Sequence, residues 1–162
     1  MITMDLINSH TAKLIFSGFI SEKWEFTLDQ LPSGIRELVI DSKDVRAISS
    51  LGISIWIKFF TPLREKGVQI RFVNCSPILI QQGAMLLSNF IYANEVVNVG
   101  LPYYCGDCEN ETTLFLEISE LAKNNFSPPA IICNHCNSHN IEFDDDENQY
   151  FQLFNNPLKK AT

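Results

Sequence analysis

The residues with the most defined chemistry in this 162-residue chain are its five cysteines. Cys105, Cys108, Cys133 and Cys136 form two C-x2-C pairs separated by 24 residues, and Cys75 stands alone. A tight turn at each pair aims two thiolates at one point, and two such turns held together by strands complete a tetrahedral set of four sulfurs. That is the arrangement of a structural zinc site, and the spacing is typical of a zinc ribbon. Four thiolates also bind iron, as in a rubredoxin-like electron carrier, and ligand type alone does not separate the two metals. A thioredoxin-like use of either pair would need its first cysteine at the start of a helix in a βαβ setting, which neither has.

The knuckles depart from the commonest ribbon wording. Gly106 and Glu109 belong to the first, Asn134 and Asn137 to the second. Asn tolerates positive φ, so Asn137 substitutes acceptably for glycine, whereas Glu109 is less comfortable there. His135 and His139 lie close by and are expected to be bystanders, since four cysteines already fill the ligand set.

Strands must bring the knuckles together. Tyr103 and Tyr104 lead into Cys105, Thr112 to Ile118 reads as a strand leaving the first knuckle, and Ala130 to Cys133 as one entering the second. Asn140 to Phe143 and Gln149 to Phe154 then read as a hairpin around the acidic turn Asp144 to Glu147. That acidic run lacks the alternating ligands and the glycine of a calcium loop.

Ahead of the cysteines, Thr11 to Phe16, Leu38 to Asp41 and Val68 to Phe72 read as strands. Gly52 to Lys66 places Ile53, Trp56, Ile57, Phe60 and Leu63 on one helical face; Gly67 is placed to end the helix, and Pro62 to kink it or tighten its last turn. Ser76 and Pro77 open a second helix through Leu87. Trp24 and Phe26 are expected to cover the sheet, and Cys75 to be a small buried thiol. Strands alternating with helices imply an α/β layer, whose loops after the strands are where function is sought.

One such loop is Asp41 to Gly52. A strand ending in Asp, a short segment ending apolar, a Ser-Ser-x-Gly helix start, a strand reaching Val-Asn and a capped final helix together resemble the STAS family. That family includes bacterial anti-sigma-factor antagonists and the cytoplasmic ends of sulfate transporters. The likeness runs from about Thr11 to Phe90 and is sharpest from Leu38 to Pro77. It implies a mixed sheet covered by helices over residues 1–99, followed by the small β zinc ribbon over residues 100–162.

In phosphorylatable members the helix begins Asp-Ser-x-Gly, and a partner kinase that doubles as an anti-sigma factor phosphorylates the serine. Aligning on Gly52 places Ser50 on the phosphoacceptor and Ser49 on the preceding Asp. The resemblance thus implies a docking surface of Ser49, Ser50, Leu51, Gly52, Ser54 and Lys58. Independently of any family, a helix N-terminus tolerates phosphate, and the added charge would repel a partner docked there; the simpler role for either serine is an N-cap.

Charge and composition narrow the remaining classes. Residues 1–100 hold nine acids and nine bases, whereas residues 101–162 hold ten acids and three bases. An acidic ribbon repels phosphate, so no nucleic-acid partner is expected, although a nucleic-acid-associated ribbon is the alternative from another class. No P-loop, nucleophile elbow, H-E-x-x-H or dinucleotide loop occurs. The pair Asp41 and Asp44 has no nearby His or metal motif, so an enzyme is not expected. Met1 to Ile15 lacks the basic start and apolar middle of a signal peptide, and no stretch is apolar enough to span a bilayer, so a cytoplasmic protein without membrane insertion is expected.

Overall fold

A computed structural model describes residues 1–86 and 89–155. Its first sheet has the order β1-β2-β3-β4, formed by Ile2–Leu6, Thr11–Ile20, Glu37–Ile48 and Gln69–Val73. β1 runs antiparallel to β2, and the other two pairings are parallel, which makes the sheet mixed. The two-residue period of the strands sorts the faces. Ala12, Leu14, Phe16, Leu38, Ile40, Ile70 and Phe72 are buried. On the other face Lys13 pairs with Asp41 at 2.8 Å and Arg71 with Glu37 at 3.3 Å.

The buried face is covered by α1 (Ser50–Glu65) and α2 (Pro77–Met85). α1 buries Trp56, Phe60 and Leu63 as the sequence periodicity predicts; Phe59 is buried as well, whereas Ile53 and Ile57 of the expected face are half-buried. Trp56 is the hub: its ring centroid lies 4.7–6.1 Å from those of Phe16, Trp24, Phe60, Phe72 and Phe90, and its Nε1 donates to the Phe90 carbonyl at 2.9 Å. Trp24 and Phe26 cover this cluster through Phe16 and Phe59, as expected. Pro62 is accommodated within α1, and Gly67 follows the helix in the left-handed region at φ 75°. Arg64 near its end makes a two-pronged ion pair with Glu95 at 2.7 and 2.8 Å, tying α1 to the segment after α2.

The second sheet has the order β6-β5-β7, formed by Glu111–Glu117, Asn98–Cys105 and Ile141–Phe143, with both pairings antiparallel. The chain entering β5 lies beside the end of β4 and the residues just after it, through isolated parallel bridges Phe72 to Val96 and Cys75 to Val99, and the Gly100 N–H donates to the Cys75 carbonyl at 2.8 Å. The boundary between residues 99 and 100 therefore falls inside a strand. Buried apolar residues form a single cluster from Ala12 to Leu153. Gln81 on α2 donates to Asp145 at 2.7 Å, the Tyr150 hydroxyl donates to the Gly100 carbonyl, and Gly83 faces Leu153.

Several expectations are corrected. Asp41 to Gly52 is not a loop: β3 continues to Ile48, paired with β2 across two register irregularities beside Gly18, which takes φ 78°. Its polar sequence hides the strand because the buried positions there include Ser42 as well as Val45. β1 and the helix α3 (Ile118–Lys123) were not expected, and Ile118 begins that helix instead of ending the strand. Ala130 to Cys133 is irregular and not a strand. Gln149 to Phe154 is not a strand either: α4 (Glu147–Tyr150) and α5 (Gln152–Asn155) replace the hairpin, and the acidic run caps α4, with Asp146 accepting from the Gln149 N–H at 2.8 Å. Ser76 holds the N-cap position of α2 but makes no side-chain cap bond, and Leu87 lies outside the described residues.

Candidate metal centre and docking surface

The two C-x2-C pairs fold into congruent knuckles. The N–H of Cys105 donates to the Asn110 carbonyl at 3.0 Å and that of Glu109 to the Cys105 carbonyl at 2.9 Å. In the second pair Cys133 donates to Ser138 and Asn137 to Cys133, both at 2.9 Å. Glu109 and Asn137 occupy the same turn position with φ of 57° and 59°. Different residues are thus forced into one backbone shape, at a cost for Glu109 because its Cβ crowds the following carbonyl in the left-handed region.

Replacing Glu109 by glycine is expected to stabilise the metal-loaded protein by about 0.5–1 kcal/mol, since relief of the left-handed penalty exceeds the entropy that glycine adds to the unfolded chain. The midpoint of thermal unfolding should rise by about 1–4 °C, and an unchanged or lower midpoint would contradict this account of the turn.

β5 carries Cys105 into the site and β7 pairs beside it, Ile141 opposite Cys105, so the sheet sets the second knuckle against the first. All four Sγ atoms lie within 4.8 Å of one another. Cys105 and Cys136 are 3.6 Å apart and Cys108 and Cys133 3.7 Å, too long for disulfides. Four sulfurs at a metal–sulfur distance of about 2.3 Å in a tetrahedron stand ~3.8 Å apart, so the cluster is close to the spacing that one metal ion needs. Cys105 and Cys133 are buried, Cys108 is half-buried and Cys136 is exposed.

The thiols are not equivalent. The Asn110 side chain donates to Cys108 Sγ at 3.4 Å, and with the Asn110 backbone N–H it brings the Cys108 thiol down to about 6. For Cys136 the Ser138 backbone N–H pulls downward, but its place beside Cys108 and the other sulfurs pushes it up to about 12. The exposed Asp107 carboxylate bridges the knuckles, held below its usual range by bonds from Asn140 and Ser138. Sequence reasoning missed Asp107, Asn110 and Asn140; the density of Asp, Asn and Ser flanking both pairs was the available signal. His135 and His139 are exposed and outside the sulfur cluster.

At the start of α1, Ser49 is the N-cap, and its Oγ accepts from the Gly52 N–H at 3.0 Å. Gly52 is buried, and a Cβ there would collide with the Ile20 carbonyl, so this glycine seats the helix on the end of β2. Ser50, Leu51, Ser54 and Lys58 are exposed on one stripe of the helix, Leu51 at 60%. With the cap role taken by Ser49, the Ser50 hydroxyl has no side-chain hydrogen bond among the described residues.

Elsewhere, Asp41 is tied to Lys13 and Asn74, whereas Asp44 is exposed, so the two carboxylates do not form a pair. Cys75 is fully buried, and burial pushes its thiol up to about 12. His10 contacts the Gly34 carbonyl at 3.2 Å. Among the described residues no helix is long and apolar enough to cross a membrane.

The fold defines an α/β domain with a mixed sheet whose central helix begins at the Ser49–Gly52 turn, continued into a small sheet with a four-cysteine cluster able to hold a metal ion. A model of the STAS domain family matches residues 4–95, more than half of the chain, and the chain belongs to that family. No curated protein and no solved structure matches it. The cysteine cluster lies wholly beyond the matched residues.

Proposed function

We propose that this chain is a non-catalytic regulatory module of the anti-sigma-factor-antagonist type, which binds a protein partner through the stripe Ser50, Leu51, Ser54 and Lys58. The partner is an anti-sigma-factor kinase or a related regulator in a bacterial, cytoplasmic pathway, and Ser50 is its phosphoacceptor. The observation that carries this reading is the division of labour at the helix start: Ser49 caps, leaving Ser50 exposed beside the exposed Leu51. Phosphate at Ser50 would sit at the positive end of α1, tolerated by the fold, while adding about 1.5–2 negative charges to the docking stripe. In this division residues 1–99 dock and residues 100–162 are a zinc-stapled ribbon.

Native mass spectrometry of the chain captured gently from its own cytosol reads metal, phosphate and partner together. A kinase-like or sigma-pathway partner should bind wild type and Ser50→Ala, and Ser50→Asp should bind at least about tenfold more weakly. Equal binding by all three forms would remove Ser50 from the mechanism. The same spectrum separates the metals by mass: zinc is expected, in a colourless protein, whereas iron would colour it and bleach on reduction. Zinc at this site supplies folding energy and no chemistry.

A further inference from the structure

Asp107 stands between two cysteines of a cluster that becomes strongly anionic when its thiolates gather around a metal. Electrostatics alone would disfavour a carboxylate there. Yet both of its carboxylate oxygens are bonded. Its Oδ1 accepts from Asn140 Nδ2 at 2.7 Å and its Oδ2 from Ser138 Oγ at 2.5 Å. Ser138 Oγ in turn accepts from the Asn140 N–H at 2.9 Å, and the Asn140 carbonyl accepts from the Gly106 N–H at 2.8 Å. Gly106 makes this approach possible: a Cβ there would lie 2.7 Å from Asn140 Nδ2. Three of these bonds, those of Asp107 and of the Gly106 N–H, run from the first knuckle to the segment leaving the second, and β7 begins immediately after Asn140.

We propose that Asp107 is a positioning residue for the metal, a clip that joins the two knuckles through Ser138 and Asn140 and holds their four sulfurs near tetrahedral spacing before metal enters. The proposal rests on reading the four cysteines as the zinc site. Groups that orient ligands without touching the metal typically change affinity by about 10–100-fold. Clip and charge act in opposite directions here, so the sign of the effect of removing Asp107 decides between them. If the carboxylate acts mainly as a charge, its removal tightens zinc binding; if it acts as a clip, removal weakens it.

The test uses the full chain, loaded with zinc or with cobalt as a spectroscopic probe, and measures metal affinity by chelator competition. Asp107→Ala is expected to weaken zinc binding by about tenfold or more, with the cobalt d–d spectrum of the saturated form unchanged because all four sulfurs still bind. Asp107→Asn, which keeps an acceptor for Ser138, should recover most of the loss. The exchange Asp107→Asn with Asn140→Asp, which reverses donor and acceptor, should recover it too. Wild-type or tighter affinity in Asp107→Ala overturns the clip while leaving the zinc site intact, as does an equal loss in the alanine, asparagine and exchanged forms. Failure of wild type to bind one zinc or cobalt overturns the metal site itself, and the clip with it.

Discussion

Replacing Cys133 by serine is expected to abolish chelator-resistant metal binding and to open the chain after Leu101. Cys133 is buried, and a serine hydroxyl there neither replaces a thiolate nor finds a ready partner. Structural zinc contributes roughly 10–16 kcal/mol of apparent binding energy in small modules, and that energy is folding energy because the site does not exist in the unfolded chain. The opening should follow the shared core. Tyr150 and Leu153 cover α2 from the far side of the ribbon, so amides around Leu79 and Ile80 should exchange faster as well. Those of β2 and β3 should stay protected, since Leu14, Leu38, Ile40 and Trp56 pack within residues 1–99. Hydrogen exchange with limited proteolysis reads both parts. Unchanged cleavage after Leu101 together with retained metal would sink the staple reading.

Trp56→Ala carries the second large effect. The side chain is fully buried, touches five other rings and spends its N–H on the Phe90 carbonyl. Large-to-small substitution of a buried aromatic costs about 3–5 kcal/mol, a large share of the 5–15 kcal/mol that holds a typical domain folded. Trp56→Phe should cost far less, because the Phe90 carbonyl still accepts from Arg64 Nη2 at 3.2 Å and is not orphaned. Urea titration of the zinc-loaded protein measures both variants. An alanine variant within about 1 kcal/mol of wild type would mean that the aromatic cluster is not the centre of the core.

What was legible in the sequence had local causes. A C-x2-C pair encodes its own turn, so the four ligands and their convergence could be read without coordinates. The apolar stripe of α1 and its stop at Gly67 follow from helical period and glycine's access to positive φ. The Ser-Ser-x-Gly start was readable as a helix entry, but which serine caps was not. That depends on how closely Gly52 seats the helix against Ile20, a contact between segments more than thirty residues apart in sequence.

Where the reading failed, period and composition were ambiguous and tertiary contacts decided. Gln149 to Phe154 alternates well enough for a strand over six residues, yet Tyr150, Phe151 and Leu153 are buried from helices because Asp146 caps α4 and α2 offers the surface. The second half of β3 looks like a polar loop and becomes a strand only because β2 extends beside it. Legible from neighbouring residues alone were the four cysteines that converge, the α/β layer and the position of α1. That the two sheets share one core and that Asp107 meets Ser138 and Asn140 was not legible there, because such pairings are set by backbone approach between distant segments, which no local pattern records.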